Sequence, residues 1–150
     1  MFFDCKGRLA WLVCGLIFLT GCGNKTLFIN EISLMESKLI RDESGKNDDW
    51  LELYNSSSRP RDLAGMYLTD NRKKLTKWKF PGKDPEVTTI PGKGFLIVWM
   101  DKDIDEGPLH TNFRLDNGGD MLWLVDKDGS SILDSVAVAH MPERDRKSVV

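Results

Sequence analysis

The residues best placed to do chemistry are acidic. Asp101-Lys102-Asp103-Ile104-Asp105-Glu106 sets carboxylates at alternate positions, as a loop does when it wraps a hard cation in oxygen. The match to a calcium loop then fails, because the glycine is the seventh residue of the stretch, Gly107, instead of the sixth. Asn112 also stands where a bidentate Glu is needed. This stretch therefore reads as a solvated acidic turn. Asp42, Glu43, Asn47, Asp48 and Asp49 form a second oxygen-rich loop that reads the same way. Zinc needs three or four nitrogen or sulfur ligands, or carboxylates converging with them, and the chain does not group them in sequence. No metal ligand and no cofactor is assigned.

Nucleophilic catalysis finds no constellation either. His110 and His140 are the two histidines, and there is no Gly-x-Ser-x-Gly elbow. His110 lies in a strand-like pattern and is expected to be a structural hydrogen-bonding residue. No catalytic residue is assigned, and the chain is not expected to be an enzyme. Arg72, Lys73, Lys74, Lys77 and Lys79 surround Trp78, a mixture that could grip phosphate and stack on a base. On a strand, however, Lys77 and Lys79 share the face opposite Trp78. The tryptophan is expected in the core with the lysines in water, and nucleic acid is not expected as a partner. Trp50, Trp99 and Trp123 could form a carbohydrate platform, but each sits in a strand where core packing is the expectation.

Cys22 carries a different chemistry. Lys6 and Arg8 precede an apolar run from Leu9 to Leu19 of 11 residues. As a helix that run spans only about 16 Å, too short for a membrane span of about 20 residues, and it fits the apolar core of a secretory signal. Leu19-Thr20-Gly21-Cys22 then resembles the lipobox of bacterial lipoproteins, which implies acylation of the Cys22 thiol and cleavage before it. Cys5 and Cys14 fall inside the signal, so the mature chain would keep one cysteine and no internal disulfide, and acylation would remove an exposed thiol. Several acyl chains bury enough CH₂ groups for stable anchoring. Gly23 replaces the aspartate that, by the same resemblance, favours the inner membrane. The expected location is the bacterial cell envelope, on the outer membrane, with the lipid bilayer as one partner through Cys22.

The expected organisation is a signal peptide over 1–21, the acylated cysteine and a short tether over 22–25, a β-sandwich over 26–138, and a tail over 139–150. Without the signal, 129 of the 150 residues remain with a formal charge of −3, from 19 basic and 22 acidic side chains. That is one domain, with no bulk charge that selects nucleic acid or anionic membrane.

The elements that must position these residues are strands. Asp49-Trp50-Leu51-Glu52-Leu53-Tyr54-Asn55 alternates apolar and polar with period 2, with Leu51 and Leu53 as core anchors and Glu52 and Tyr54 on the other face. Leu27–Leu34 reads as a first strand, and Met35–Asp48 as a polar connection. Asp62–Gly65 is a turn into Met66–Thr69. Leu75–Phe80 is a strand with Trp78 and Phe80 on one face, and Val87–Ile90 a short one between Pro85 and Pro91-Gly92. Gly94–Met100 is apolar on both faces and reads as a central strand covered on both sides. Leu109–Leu115 is a further candidate. Met121–Val125 and Ile132–Val138 flank Asp126-Lys127-Asp128-Gly129, a hairpin turn. Seven to nine short strands and no helical stripe of ten residues predict an all-β sandwich or barrel.

Several of these stretches recur in order in a known family. Ile29-Asn30-Glu31-Ile32, Asp49 through Asn55, and Asp62-Leu63-Ala64-Gly65-Met66-Tyr67-Leu68-Thr69-Asp70 come first. Thr76-Lys77-Trp78-Lys79-Phe80, Ile90-Pro91-Gly92-Lys93-Gly94-Phe95-Leu96, Leu109-His110-Thr111-Asn112-Phe113, Asp128-Gly129 and Asp134-Ser135-Val136 follow. Over residues 27 to about 138 the chain resembles the lamin-tail domain, in its bacterial branch. The resemblance implies an immunoglobulin-like β-sandwich, an interaction or surface-attachment role with a protein or glycan partner, and no enzymatic activity. In bacterial relatives the segment after Asp-Ser-Val usually runs on, often into another domain. Here it ends at Val150, so the tail is expected to be truncated. The alternatives are an accessory remnant of a larger envelope enzyme, such as a spore-coat-H-like kinase or a nuclease or phosphoesterase, and a calcium-stabilised adhesion domain.

Overall fold

A computed structural model of the chain describes residues 25–34, 40–115 and 121–138. The expected signal sequence over 1–21, Cys22 and the tail from 139, with His140, lie outside these residues. Nine strands and one helical turn follow in the order β1 (Leu27–Ser33), β2 (Trp50–Asn55), β3 (Arg61–Asp62), β4 (Tyr67–Thr69), β5 (Trp78–Lys79), α1 (Pro85–Thr88), β6 (Thr89–Ile90), β7 (Phe95–Trp99), β8 (Met121–Val125) and β9 (Ile132–Ala137). They form an antiparallel sheet β1-β2-β7, an antiparallel sheet β5-β4-β8-β9 and a short pair β3-β6. The architecture is the expected immunoglobulin-like β-sandwich.

The alternation in β2 decides what lies between the layers. Leu51 and Leu53 are fully buried and meet Val98 and Met100 from the β7 side, with Leu68, Leu122 and Leu124 from the second sheet in the same apolar cluster. Each such side chain removed from water contributes about 1.5–3 kcal/mol before the cost of ordering it. Trp78 and Phe80 join the cluster in an edge-to-face contact at 4.7 Å, while Lys79 stays exposed. β1 carries a bulge, its register jumping from Ile29↔Leu53 to Glu31↔Glu52. Its margin is tied to β9 by Asp134, whose Oδ2 accepts from the Ile29 amide at 2.8 Å.

Four expectations need correction. Gly94–Met100 is not a central strand, because β7 is the outer member of its sheet and Phe95 is 51% exposed. Its continuous apolar run arises instead because a loop covers the far end of its outer face, where Trp99 is buried. Leu109–Leu115 contributes only an isolated parallel bridge between Trp99 and His110. Val87–Ile90 divides into the end of α1, capped by the Asp84 side chain with Pro85 in its first turn, and the two-residue β6. Leu75–Phe80 is strand only at Trp78–Lys79, the preceding residues being turns. One short strand, β3, had no signal, since two residues are too few to show a period.

Candidate functional sites

The two acidic loops are far apart in sequence and adjacent in space. β2 and β7 pair antiparallel with Trp50 opposite Trp99, so the loop entering β2 lies beside the loop leaving β7. The Met100 amide donates to the Asp49 carbonyl at 2.8 Å, stitching the two loop mouths together. Asp42, Asp101, Glu106 and His110 thereby come together, one donor atom from each lying within 4.8 Å of the others.

The members are held by contacts within and between the two loops. Asp42 folds 42–46 into a closed turn, its Oδ1 accepting from the Lys46 amide at 2.6 Å while the Gly45 amide donates to the Asp42 carbonyl at 3.1 Å. Asp101 accepts from the Asp103 amide through Oδ1 at 3.0 Å and meets His110 Nδ1 through Oδ2 at 2.5 Å. Glu106 Oε1 takes the Lys46 ammonium, which also reaches Asp103 at 3.5 Å. Arg114 Nε donates to the Asp101 carbonyl at 2.5 Å. Asp42 Oδ2, Asp48 Oδ2, Glu106 Oε2 and Asn47 Oδ1 are buried and have no hydrogen-bond partner among the described residues. Burial, followed by the negative charges of Asp101 and Asp42, raises the Asp48 carboxyl above its ordinary range.

His110 is buried and hydrogen-bonded, although the stretch around it is not a strand. It is 1% exposed, stacks on Trp99 at 6.2 Å, and has both ring nitrogens engaged, Nδ1 by Asp101 and Nε2 by Glu43 at 3.2 Å. Burial disfavours its charged form, but the hydrogen bonds to Asp101 and Glu43 outweigh burial and raise its pKa. A ring so clamped is not placed to take a proton from a substrate.

The other candidates separate by strand face. Trp50 and Trp99 lie on the outer face of the β1-β2-β7 sheet yet are buried, and Trp123 is half-buried, so no open tryptophan platform exists among the described residues. Trp78 is in the core. Lys77 bonds Asp70 at 2.6 Å and lies over the Phe113 ring at 4.7 Å, and Lys79 lies over Tyr67 at 5.6 Å, so these two are engaged locally, while Arg72, Lys73 and Lys74 are exposed. What the outer face does expose is a different aromatic row. Phe28, Tyr54 and Phe95 occupy one cross-strand line, and Tyr54 stacks on Phe95 at 4.8 Å and 27°. Phe95 had been hidden in the sequence by the continuous apolar run around it. Its position two residues from Ile97 and four from Trp99, on the face opposite Leu96 and Val98, is the signal that could have found it.

No curated protein matches the chain. The family model for the lamin tail domain matches residues 24–140, and that domain is a non-enzymatic, immunoglobulin-like module. The order of strands, the sandwich and this match agree: the chain belongs to the lamin tail domain family.

Proposed function

We propose that the protein is a non-catalytic, lipid-anchored binding module of the bacterial cell envelope, held to the outer membrane through acylated Cys22 and engaging a protein or glycan partner. The observation that carries the binding role is the stacked pair of Tyr54 on β2 and Phe95 on the outer strand β7, with half of Phe95 in water. Aromatic side chains supply large contact area at low entropic cost and are enriched where proteins meet partners. Stacking turns the two ring faces toward each other and their edges outward, an arrangement that favours a protein surface over a sugar ring, which needs an open face. The match to the lamin tail domain, a non-enzymatic family, supports the non-catalytic reading of this domain.

The intact lipoprotein, used as bait in detergent-solubilised envelope, should enrich a partner that Phe95→Ala loses at unchanged melting temperature. Equal capture by both forms would refute the assigned face. Cys22→Ser should leave the membrane fraction, and a variant that still sediments with membranes rules out the anchor.

A further inference from the structure

We propose that the corner built from the 41–49 and 101–111 loops is a binding site for a hard divalent cation, calcium in preference to magnesium or zinc, ligated by Asp42, Asp101 and Glu106. This goes beyond the binding role above and does not depend on it, since the site lies at the loop end of the sheet and the aromatic row at its other half.

Three observations carry it. The first is convergence: carboxylates from two loops separated by some sixty residues of chain bring donor atoms within 4.8 Å of one another. The second is unmet demand. Asp42 is only 8% exposed, its Oδ1 is used by the Lys46 amide, and its Oδ2 has no partner. Glu106 Oε2, Asp48 Oδ2 and Asn47 Oδ1 are buried in the same condition. All four atoms are acceptors, so only a cation or a donor can satisfy them, and leaving them dry is costly. The third is charge. Asp42, Glu43, Asp48, Asp101, Asp103 and Glu106 are gathered here, and the cationic groups that interact with them include Lys46, Arg114 and the His110 ring, with the Arg114 Nε spent on a backbone carbonyl. Lys46 is half in water and can swing off Glu106 when a dication arrives.

The choice of calcium follows from donor type and number. Both His110 nitrogens are taken by carboxylates, which leaves an all-oxygen set and disfavours zinc. Calcium takes six to eight oxygens in flexible geometry, whereas magnesium demands a near-ideal octahedron and keeps several waters. Three carboxylates, with the Asp48 carboxylate and the Asn47 side-chain carbonyl unpartnered in the same loops, suit the ion that takes more oxygens.

The test uses the full-length chain in detergent, stripped with EDTA and titrated with calcium chloride alone, magnesium chloride alone and zinc chloride alone. Saturable calcium binding at one ion per chain is expected, with a dissociation constant of about 10⁻⁴–10⁻³ M, the range of extracellular modules. Terbium should show luminescence sensitised by the neighbouring tryptophans and displaced by calcium. Glu106→Gln, which keeps the side-chain shape, should weaken calcium at least tenfold with the metal-free near-ultraviolet dichroism unchanged, and Asp128→Asn, in the far hairpin, should not. Should Glu106→Gln misfold, Asp42→Asn takes its place with the same expected loss. No saturable calcium binding to the unaltered chain, tighter binding of zinc than calcium, or undiminished binding by the folded acidic-loop variant would each overturn the site.

Discussion

Asn55 closes the Asp49–Asn55 strand and is fully buried, yet its side chain is polar. Its Nδ2 donates to the carbonyls of Arg59 at 2.8 Å, Pro91 at 3.1 Å and Ile90 at 3.2 Å, and its Oδ1 accepts from the Ser57 amide at 3.1 Å and the Ser57 hydroxyl at 2.8 Å. One amide therefore pins the loop after β2 to the loop before β7. Asn55→Ala removes the two donors and both accepted bonds. At roughly 0.5–1.5 kcal/mol net for each bond, the loss is about 2–5 kcal/mol. For a domain of this size that is a fall of roughly 10–20 °C or more in melting temperature. Asn55→Asp retains the bonds to Ser57 but aims a carboxylate at three carbonyl oxygens, so at pH 7 it should destabilise more than alanine does. Protonation restores one donor, so the gap between Asn55→Asp and the unaltered chain should narrow as pH falls toward 4. Thermal melts of the three proteins at pH 7 and pH 4 give the measurement. An Asn55→Asp variant at least as stable as Asn55→Ala at pH 7 would refute the claim that the three carbonyls govern this position.

Two further perturbations test the frame around the sites. A Cβ at Gly92 would lie 2.4 Å from the Ser58 carbonyl oxygen and 3.0 Å from the Arg59 amide nitrogen, both backbone atoms that cannot swing aside, whereas one at Gly82 meets nothing within 4 Å. Gly92→Ala should cost about 1–3 kcal/mol or more in urea denaturation and Gly82→Ala under about 0.5 kcal/mol; equal midpoints would refute the close approach. Asp128 in the β8–β9 turn is held down to about 2 by the Ser131 hydroxyl and then by the Ser131 and Ser130 amides. Because the folded pKa lies below the unfolded one, the carboxylate stabilises the fold above about pH 4, and that contribution is lost as pH falls through about 2. Asp128→Ala should therefore lower the melting temperature at pH 6 and narrow its difference from the unaltered chain at pH 2, and a difference independent of pH would count against the hydrogen bonds as its source.

How far the sequence reaches depends on how local each feature is. Leu51 and Leu53 read correctly as core because a period of 2 is carried by adjacent residues, and Gly129 read correctly as a hairpin residue because its φ of +70° suits glycine. Trp78 and Lys79 separated for the same reason. Phe95 misled because its burial depends on which strand lies next to β7, and a run of apolar residues looks the same whether a second strand or a loop covers it. The chain by itself determined an all-β domain of the lamin tail family, its turns and its inward-facing side chains, all properties of short-range pattern. The tertiary structure alone decided that the loop entering β2 meets the loop leaving β7, since that follows from sheet order and antiparallel register. Asp42, Asp101 and Glu106, each read singly as part of a solvated turn, become one corner, with Asp42 Oδ2 and Glu106 Oε2 buried and unpartnered, only through that pairing.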